Sequence, residues 1–367
     1  MLKALVIDFF CTAAFDITII LKIPTYYFIP GCASGVAIFL YLPTIDQNTT
    51  KSIKDLNTNL YIPGLPPIPS SDMPLAFLDR TSTAYASYKN TAIQMTKSKG
   101  IIVNTVEFLE ARAVKAITDG LCTPNAPAPP IFCIGPLVET YHQTGTSHGG
   151  DEHDCLIWLN SQPVQSVLFL SFGSRGLLSA KQLKEMAIGL ERSGHRFLWV
   201  VRSPPPEDNS KRYEAPPEPD LDILLPQGFL NRTKDRGLVV KSWAPQVEVL
   251  NHKSVGGFVT NCGWVSFLEA VCAGVPTVGW PLYAEQKMNR VFMVEEMKAV
   301  LRLDQLEDGF VSADELEKRV RELMDSERGK EVRERVMAMR DGVMAAVEEG
   351  GSTRVALAKL ADSWQRG

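Results

Sequence analysis

No stretch of about 20 uninterrupted apolar residues occurs in this 367-residue chain, so none meets the requirement for a membrane-spanning helix. The most apolar segment, LVIDFFCTAAFDITIILKIP, is broken by Asp8, Asp16, Lys22 and Pro24, and reads as a buried strand from Ala4 to Ile7 followed by a helix. No signal peptide or membrane insertion is expected. The seven cysteines are scattered and contain no C-x-x-C pair. An odd count without a framework points to free thiols in a reducing compartment, and a cytoplasmic protein is expected. Five dispersed histidines form no ligand cluster, so no metal is expected. No G-x-G-x-x-G follows any expected strand, which disfavours a dinucleotide-dependent dehydrogenase. Positive charge is not in excess either: 38 Lys and Arg stand against 42 Asp and Glu, a net charge of −4. That balance supplies no basic field for a nucleic-acid partner.

What is present is an ordinary globular composition, 45% hydrophobic and 22% charged, long enough for two domains. Leu5 to Ile7, Thr25 to Phe28, Gly100 to Asn104 and Ile131 to Ile134 read as strands with helical stretches between most of them. That alternation argues for a parallel sheet with crossover helices. A nearly apolar-free stretch, ETYHQTGTSHGGDEHD, is the expected linker. A second α/β unit begins at VLFLSFGS, and Ser179-x-x-Gln182 and Ser312-x-x-Glu315 read as capping boxes that open helices. The expected boundaries are a first domain at 1–140, a linker at 141–154, a second domain at 155–350 and a C-terminal helical segment at 351–367.

The segment from Trp243 to Gln286 carries the chemistry. Gly256 to Thr260 is a short apolar strand, Asn261-Cys262-Gly263 a turn, and Trp264 to Ala273 a helix stopped by Gly274 and Pro276. A second strand, Pro276 to Pro281, leads to another helix from about Ala284. A strand, a tight turn and a helix N-terminus form an anion site, because N–H groups and the helix dipole point at the ligand. Gly263 permits close backbone approach and Ser266 offers a first-turn hydroxyl. Trp243 could stack on a base, Gln246 and Glu269 could hold ribose hydroxyls, and Glu285 and Gln286 could hold a sugar. Each element alone is commonplace in α/β proteins; their joint spacing is not.

This 44-residue segment resembles the signature box of the plant family 1 UDP-glycosyltransferases. The match includes Trp243, Ala244, Pro245, Gln246, His252, Gly257, Thr260, Cys262, Gly263, Trp264, Ser266, Glu269, Pro276, Pro281, Glu285 and Gln286. The resemblance runs along the whole chain and is nearest to the branch that glycosylates phenolics such as flavonoids and chalcones. It implies the GT-B architecture: α/β, two Rossmann-like doubly wound domains facing a cleft, here with the first domain incomplete. It also implies a C-terminal helix that packs back on the first domain, and a monomer. The implied reaction moves glucose from UDP-glucose to a phenolic hydroxyl with inversion and needs no cofactor. In that scheme Trp243 stacks on uracil and the Ala244 backbone meets its edge. Gln246 and Glu269 hold the ribose. Gly173, Ser174, Asn261, Gly263 and Ser266 hold the diphosphate. Trp264, Glu285 and Gln286 face the sugar, and a terminal Gln286 goes with glucose. Asp8, in LVIDFFC, matches the orienting carboxylate of the catalytic pair.

The chain departs from the family pattern at four places. The family's histidine base, on a loop near its N-terminus, has no counterpart, because this chain starts near what would be the fourth strand. His142, His148, His153, His195 and His252 do not substitute for it. Asn261 stands where the family has His, Val265 where it has Asn, and Pro30 where it usually has Thr. The alternative reading is therefore a catalytically inactive relative with weak or no UDP-sugar binding. The Leu5–Ile7 strand is also expected to be a bare sheet edge.

Overall fold

The computed structural model describes residues 2–139, 153–206, 208, 214 and 216–365. The expected linker at 141–154, apart from His153 and Asp154, lies outside these residues, and so do His142 and His148. The described chain forms two compact units. The first comprises Met1–Val138, Ala284–Met297 and Asp341–Gly367; the second comprises Glu139–Tyr283 and Lys298–Arg340. A contiguous domain at 155–350 is therefore not what forms: 284–297 and 341–350 cluster with the first unit.

The first unit is built on a four-stranded sheet of β1 (Leu5–Asp8), β2 (Thr25–Ile29), β5 (Gly100–Val103) and β6 (Ile131–Cys133) in the order β1-β2-β5-β6. Between β2 and β5 lies a small antiparallel pair, β3 (Asn59–Leu60) and β4 (Ile68–Pro69). All neighbours in the main sheet are parallel, as apolar strands joined by helical crossovers require. β1 is an edge of this sheet, and Val6, Phe10, Ile17, Ile20 and Leu21 around it are exposed.

One buried acid organises the unit. The helix Ala33–Asn48 begins after Cys32, whose sulfur accepts from the Gly35 N–H at 3.2 Å. Glu110 completes the cap. Its carboxylate accepts from the N–H groups of Ala33 and Ser34, both at 2.8 Å, and from the hydroxyls of Ser34 and Thr105. A carboxylate at a helix N-terminus meets both the unpaired N–H groups and the positive end of the dipole. The helix Ser352–Gln365 packs on the sheet of this unit. Leu360 lies against Tyr26 and Ile102, the Tyr26 hydroxyl meets Ser363 Oγ at 2.8 Å, and Thr353 Oγ1 donates to the Gly135 carbonyl at 2.6 Å.

The second unit holds a six-stranded parallel sheet. Its strands are β7 (Val167–Leu170), β8 (Arg196–Val201), β9 (Gly237–Lys241), β10 (Val255–Thr260), β11 (Thr277–Gly279) and β12 (Val300–Arg302), in the order β12-β11-β10-β7-β8-β9. The chain runs outward from β7 in one direction and then, beginning again at β10, in the other. The doubly wound switch therefore falls between β7 and β10, whose C-terminal ends are where an open α/β sheet binds ligands. Phe169 and Phe258 stack at 5.2 Å across these two strands in the core. Gly256 permits the close approach: a Cβ there would collide with the Gln165 carbonyl.

The expected caps form, but only in part. Ser179 Oγ accepts from the Gln182 N–H and Ser312 Oγ from the Glu315 N–H. The reciprocal partners turn elsewhere. Gln182 makes both its amide bonds to the Val311 backbone, and Glu315 accepts from the Asp304 N–H and from Arg319.

Candidate functional site

The second unit brings most of the expected residues to the β7 and β10 ends. Trp243 lies in the turn after β9 and is 63% exposed, while Ala244 beside it is buried. Ser242 takes a left-handed φ of 65°, which turns the chain and leaves the Trp243 ring outside. The Trp243 ring does have a neighbour: His153 meets it edge-on at 5.7 Å. The His153 Nδ1 also accepts from the Cys155 N–H and so caps the helix Asp154–Asn160. Nothing in the linker sequence pointed to that contact.

Three further residues converge. Gln246 opens the helix Gln246–Asn251, and Ser266 and Glu269 lie one turn apart on the helix Trp264–Ala273. The Gln246 amide donates to Ser266 Oγ at 3.0 Å and to Glu269 Oε2 at 2.6 Å. Burial pushes the Glu269 carboxyl up and the nearby Glu139 adds to it, while the Gln246 bond pulls it down. The result is a preorganised set of a carboxylate, an amide and a hydroxyl beside an exposed indole. That set suits the hydroxyls of a ribose and the face of a base.

The phosphate turn differs in detail from the expectation. Asn261 is buried and its side chain is spent on the protein. Its Nδ2 donates to the Phe172 carbonyl at 2.8 Å, and its Oδ1 accepts from the Gly263 N–H at 3.1 Å. It is a clasp between the Phe172-Gly173-Ser174 turn and the Cys262-Gly263 turn, where Gly173 and Cys262 have φ of 72° and 62°. The helix that follows has Gly263 as its N-cap, with no side-chain cap bond. Its dipole and first-turn N–H groups remain as the anion-binding element. Val265 is 40% exposed on that first turn, and Ser174 is exposed as well. Trp264, expected to face a sugar, is instead buried, with its ring 5.5 Å from that of Phe267. We expect Asn261→Ala to lower the stability of the second unit by about 2–4 kcal/mol, since the buried Phe172 carbonyl and the part-buried Gly263 N–H lose their bonds. Chemical unfolding followed by fluorescence checks this, and an unchanged midpoint would refute the clasp.

The first unit holds the remaining three. Asp8 ends β1 and its Oδ1 accepts from the Phe10 N–H at 2.8 Å, so one carboxylate oxygen caps the turn Phe9–Cys11. Glu285 is exposed, precedes the helix Gln286–Val291 and makes no side-chain cap bond to it; Gln286 is buried. Pro30 lends its carbonyl to the Asn104 amide at 3.4 Å and has no side-chain donor.

The described histidines are all engaged within the second unit. His195 pairs with Asp325 at 2.9 Å, and His252 meets Ser254 Oγ at 2.7 Å and Asn160 Oδ1 at 3.1 Å. Asp220 and Asp222 form an Asp-x-Asp pair, in which Asp220 caps the helix Leu221–Leu224 by accepting from the Asp222 and Ile223 N–H groups.

Comparison with known proteins agrees with this geometry. Residues 136–341 match the family model described as "UDP-glucoronosyl and UDP-glucosyl transferase". An anthocyanidin 5,3-O-glucosyltransferase from a Rosa hybrid cultivar is 56% identical over 366 residues, covering 100% of this chain and 75% of that protein. A phloretin 2'-O-glucosyltransferase from Malus domestica is 50% identical over 359 residues, covering 96% of this chain and 74% of the relative. The structure of Phytolacca americana UGT2 complexed with UDP-2fluoro-glucose and pterostilbene has a TM-score of 0.87 at 39% identity, covering 99% of this chain and 76% of that one. The chain belongs to the UDP-glucoronosyl and UDP-glucosyl transferase family.

Proposed function

We propose that the chain transfers glucose from UDP-glucose to a hydroxyl of a phenolic small molecule, with inversion at the anomeric carbon. The observation that carries the donor half is the Gln246–Ser266–Glu269 cluster beside the exposed Trp243. Trp243 stacks on uracil and the Ala244 backbone meets its edge. Gln246 and Glu269 take the ribose hydroxyls. The N-terminus of the helix Trp264–Ala273, with Gly173, Ser174, Gly263 and Ser266, takes the diphosphate. Asn261 serves this site by holding its two turns together. Glu285 and Gln286 face glucose. The acceptor oxygen attacks the anomeric carbon as the bond to UDP breaks. The departing diphosphate is stabilised by N–H groups and the helix dipole, without a cofactor. Asp8 keeps one carboxylate oxygen outside its cap bond and is the orienting carboxylate of this reading.

The phenolic acceptor is supported by the relatives, which are named for anthocyanidin and phloretin, and by pterostilbene in the Phytolacca structure. Among the described residues no helix is long and apolar enough to cross a membrane. We place the protein in the cytoplasm as a monomer.

A second reading, a catalytically inactive relative with weak or no UDP-sugar binding, is favoured by one observation. His153, His195 and His252 are each bonded within the second unit, so none of them is assigned as the proton acceptor. Incubation with UDP-glucose and a flavonoid panel, read by mass spectrometry, separates the two. Glucosides support transfer, and UDP binding without product supports the second reading. Absence of UDP binding in calorimetry overturns transfer and leaves the second reading standing.

A further inference from the structure

Tyr88, on the helix Thr83–Met95, sits in a group of five aromatic rings within the first unit. Phe77 meets it edge-on at 5.2 Å and Phe39 lies at 5.3 Å. Phe9 and Phe10, which directly follow Asp8, lie at 6.2 and 6.3 Å. The group grades from core to surface: Phe77 is fully buried, Phe39 and Tyr88 are half-buried, and Phe10 is 73% exposed. Packing alone does not call for a tyrosine here. A phenylalanine would make the same ring contacts without carrying a hydroxyl into a half-buried site, which is costly unless the hydroxyl is used.

That hydroxyl has no hydrogen-bond partner among the described residues. Burial pushes the Tyr88 phenol up, and the carboxylates of Glu285 and Asp8 raise it further. It is therefore a protonated donor at neutral pH, close to two acids to which it is not bonded. One of them, Asp8, is the orienting carboxylate of the proposed reaction. The other, Glu285, is assigned to the sugar.

We propose that Tyr88 is an acceptor-specificity residue: a planar phenol lies on the exposed Phe10 ring, and the Tyr88 hydroxyl donates to a second polar group of that phenol. This rests on the phenolic-acceptor reading and adds a rule to it, a preference for acceptors carrying two separated oxygens. An apolar aromatic surface supplies sequence-independent affinity for any flat phenol. A hydrogen bond at the rim then sorts phenols by substitution, because a donor left unpaired by the wrong ligand loses its bond to water.

The test compares 2-naphthol with 2,7-dihydroxynaphthalene, binding to the chain in the presence of UDP, by titration calorimetry. The unmodified chain is expected to bind the dihydroxy compound roughly threefold to tenfold more tightly, the usual worth of one neutral hydrogen bond. Tyr88→Phe is expected to abolish that preference while leaving the 2-naphthol Kd unchanged, which also shows that the variant is folded. Phe10→Ala is expected to weaken both. A preference that survives in Tyr88→Phe, or an equal loss for both compounds, overturns the Tyr88 assignment and leaves the phenolic reading standing. Failure of the unmodified chain to bind either naphthol overturns the phenolic acceptor and the Tyr88 assignment together.

Discussion

Val265→Asn is expected to bind UDP about tenfold to a hundredfold more tightly than the unmodified chain. Val265 occupies the first turn of the helix Trp264–Ala273, where N–H groups and the dipole point outward. Its side chain is exposed and offers the ligand nothing. Of the neighbouring polar side chains, Asn261 is committed to Phe172 and Gly263, and Ser266, which accepts from Gln246, keeps only its hydroxyl proton to donate. An asparagine at 265 adds the amide donor that this turn lacks. A hydrogen bond to a charged group contributes about 1.5–3 kcal/mol, which is the stated gain in Kd. Helix propensities of Val and Asn are close and the site is exposed, so stability without ligand should shift by less than about 0.5 kcal/mol. Calorimetry with UDP measures the gain. Uridine, which has no diphosphate, should gain nothing. Equal improvement for uridine and UDP would show that the new amide acts elsewhere, and no improvement would remove Val265 from the phosphate turn.

The elements that could be read from the sequence are those that local chemistry decides. Apolar runs became β7 and β10, Gly274 ended its helix at a φ of 73°, and Ser179 and Ser312 capped theirs. The residues that misled are those whose partners are distant in sequence. Gln182 and Glu315 fit a capping box, yet the loop around Val311 and the Asp304–Arg319 pair outcompeted the local bond. Asn261 looked like a phosphate donor because it lies in the right turn, but the Phe172 carbonyl, 89 residues earlier, reaches it first. His153 and Tyr88 gave no signal at all, since a linker histidine and a helical tyrosine are ordinary. β1 was legible as a strand, and its place at the sheet edge is a matter of topology. Glu110 was the least legible, because a glutamate opening a helix normally reads as solvated surface.

Glu110→Ala should accordingly be the most destabilising single change in the first unit, by about 3–5 kcal/mol. The residue is 1% exposed, and its two oxygens take four donors. Two of these are the first N–H groups of the 16-residue helix Ala33–Asn48, which carries Phe39 of the aromatic group. Truncation leaves those N–H groups buried without partners and opens a void. At about 2–4 °C per kcal/mol for a unit of this size, the melting temperature should fall by roughly 10 °C. Glu110→Gln keeps the shape and one acceptor oxygen but turns an NH₂ group towards donors, so it should lose about half as much. The pH dependence separates the carboxyl from its volume. Burial raises the Glu110 pKa above its usual 4.5, against the pull of its four hydrogen bonds. The folded state then holds this proton more tightly than the unfolded chain. The contribution of Glu110 to stability is complete below pH 4.5 and declines as pH rises through the raised value. Calorimetric melting of the unmodified chain and of Glu110→Gln across that range should show the slope in the first and its loss in the second. Identical slopes, or an alanine variant that melts with the unmodified protein, would show that the helix Ala33–Asn48 does not depend on this buried acid.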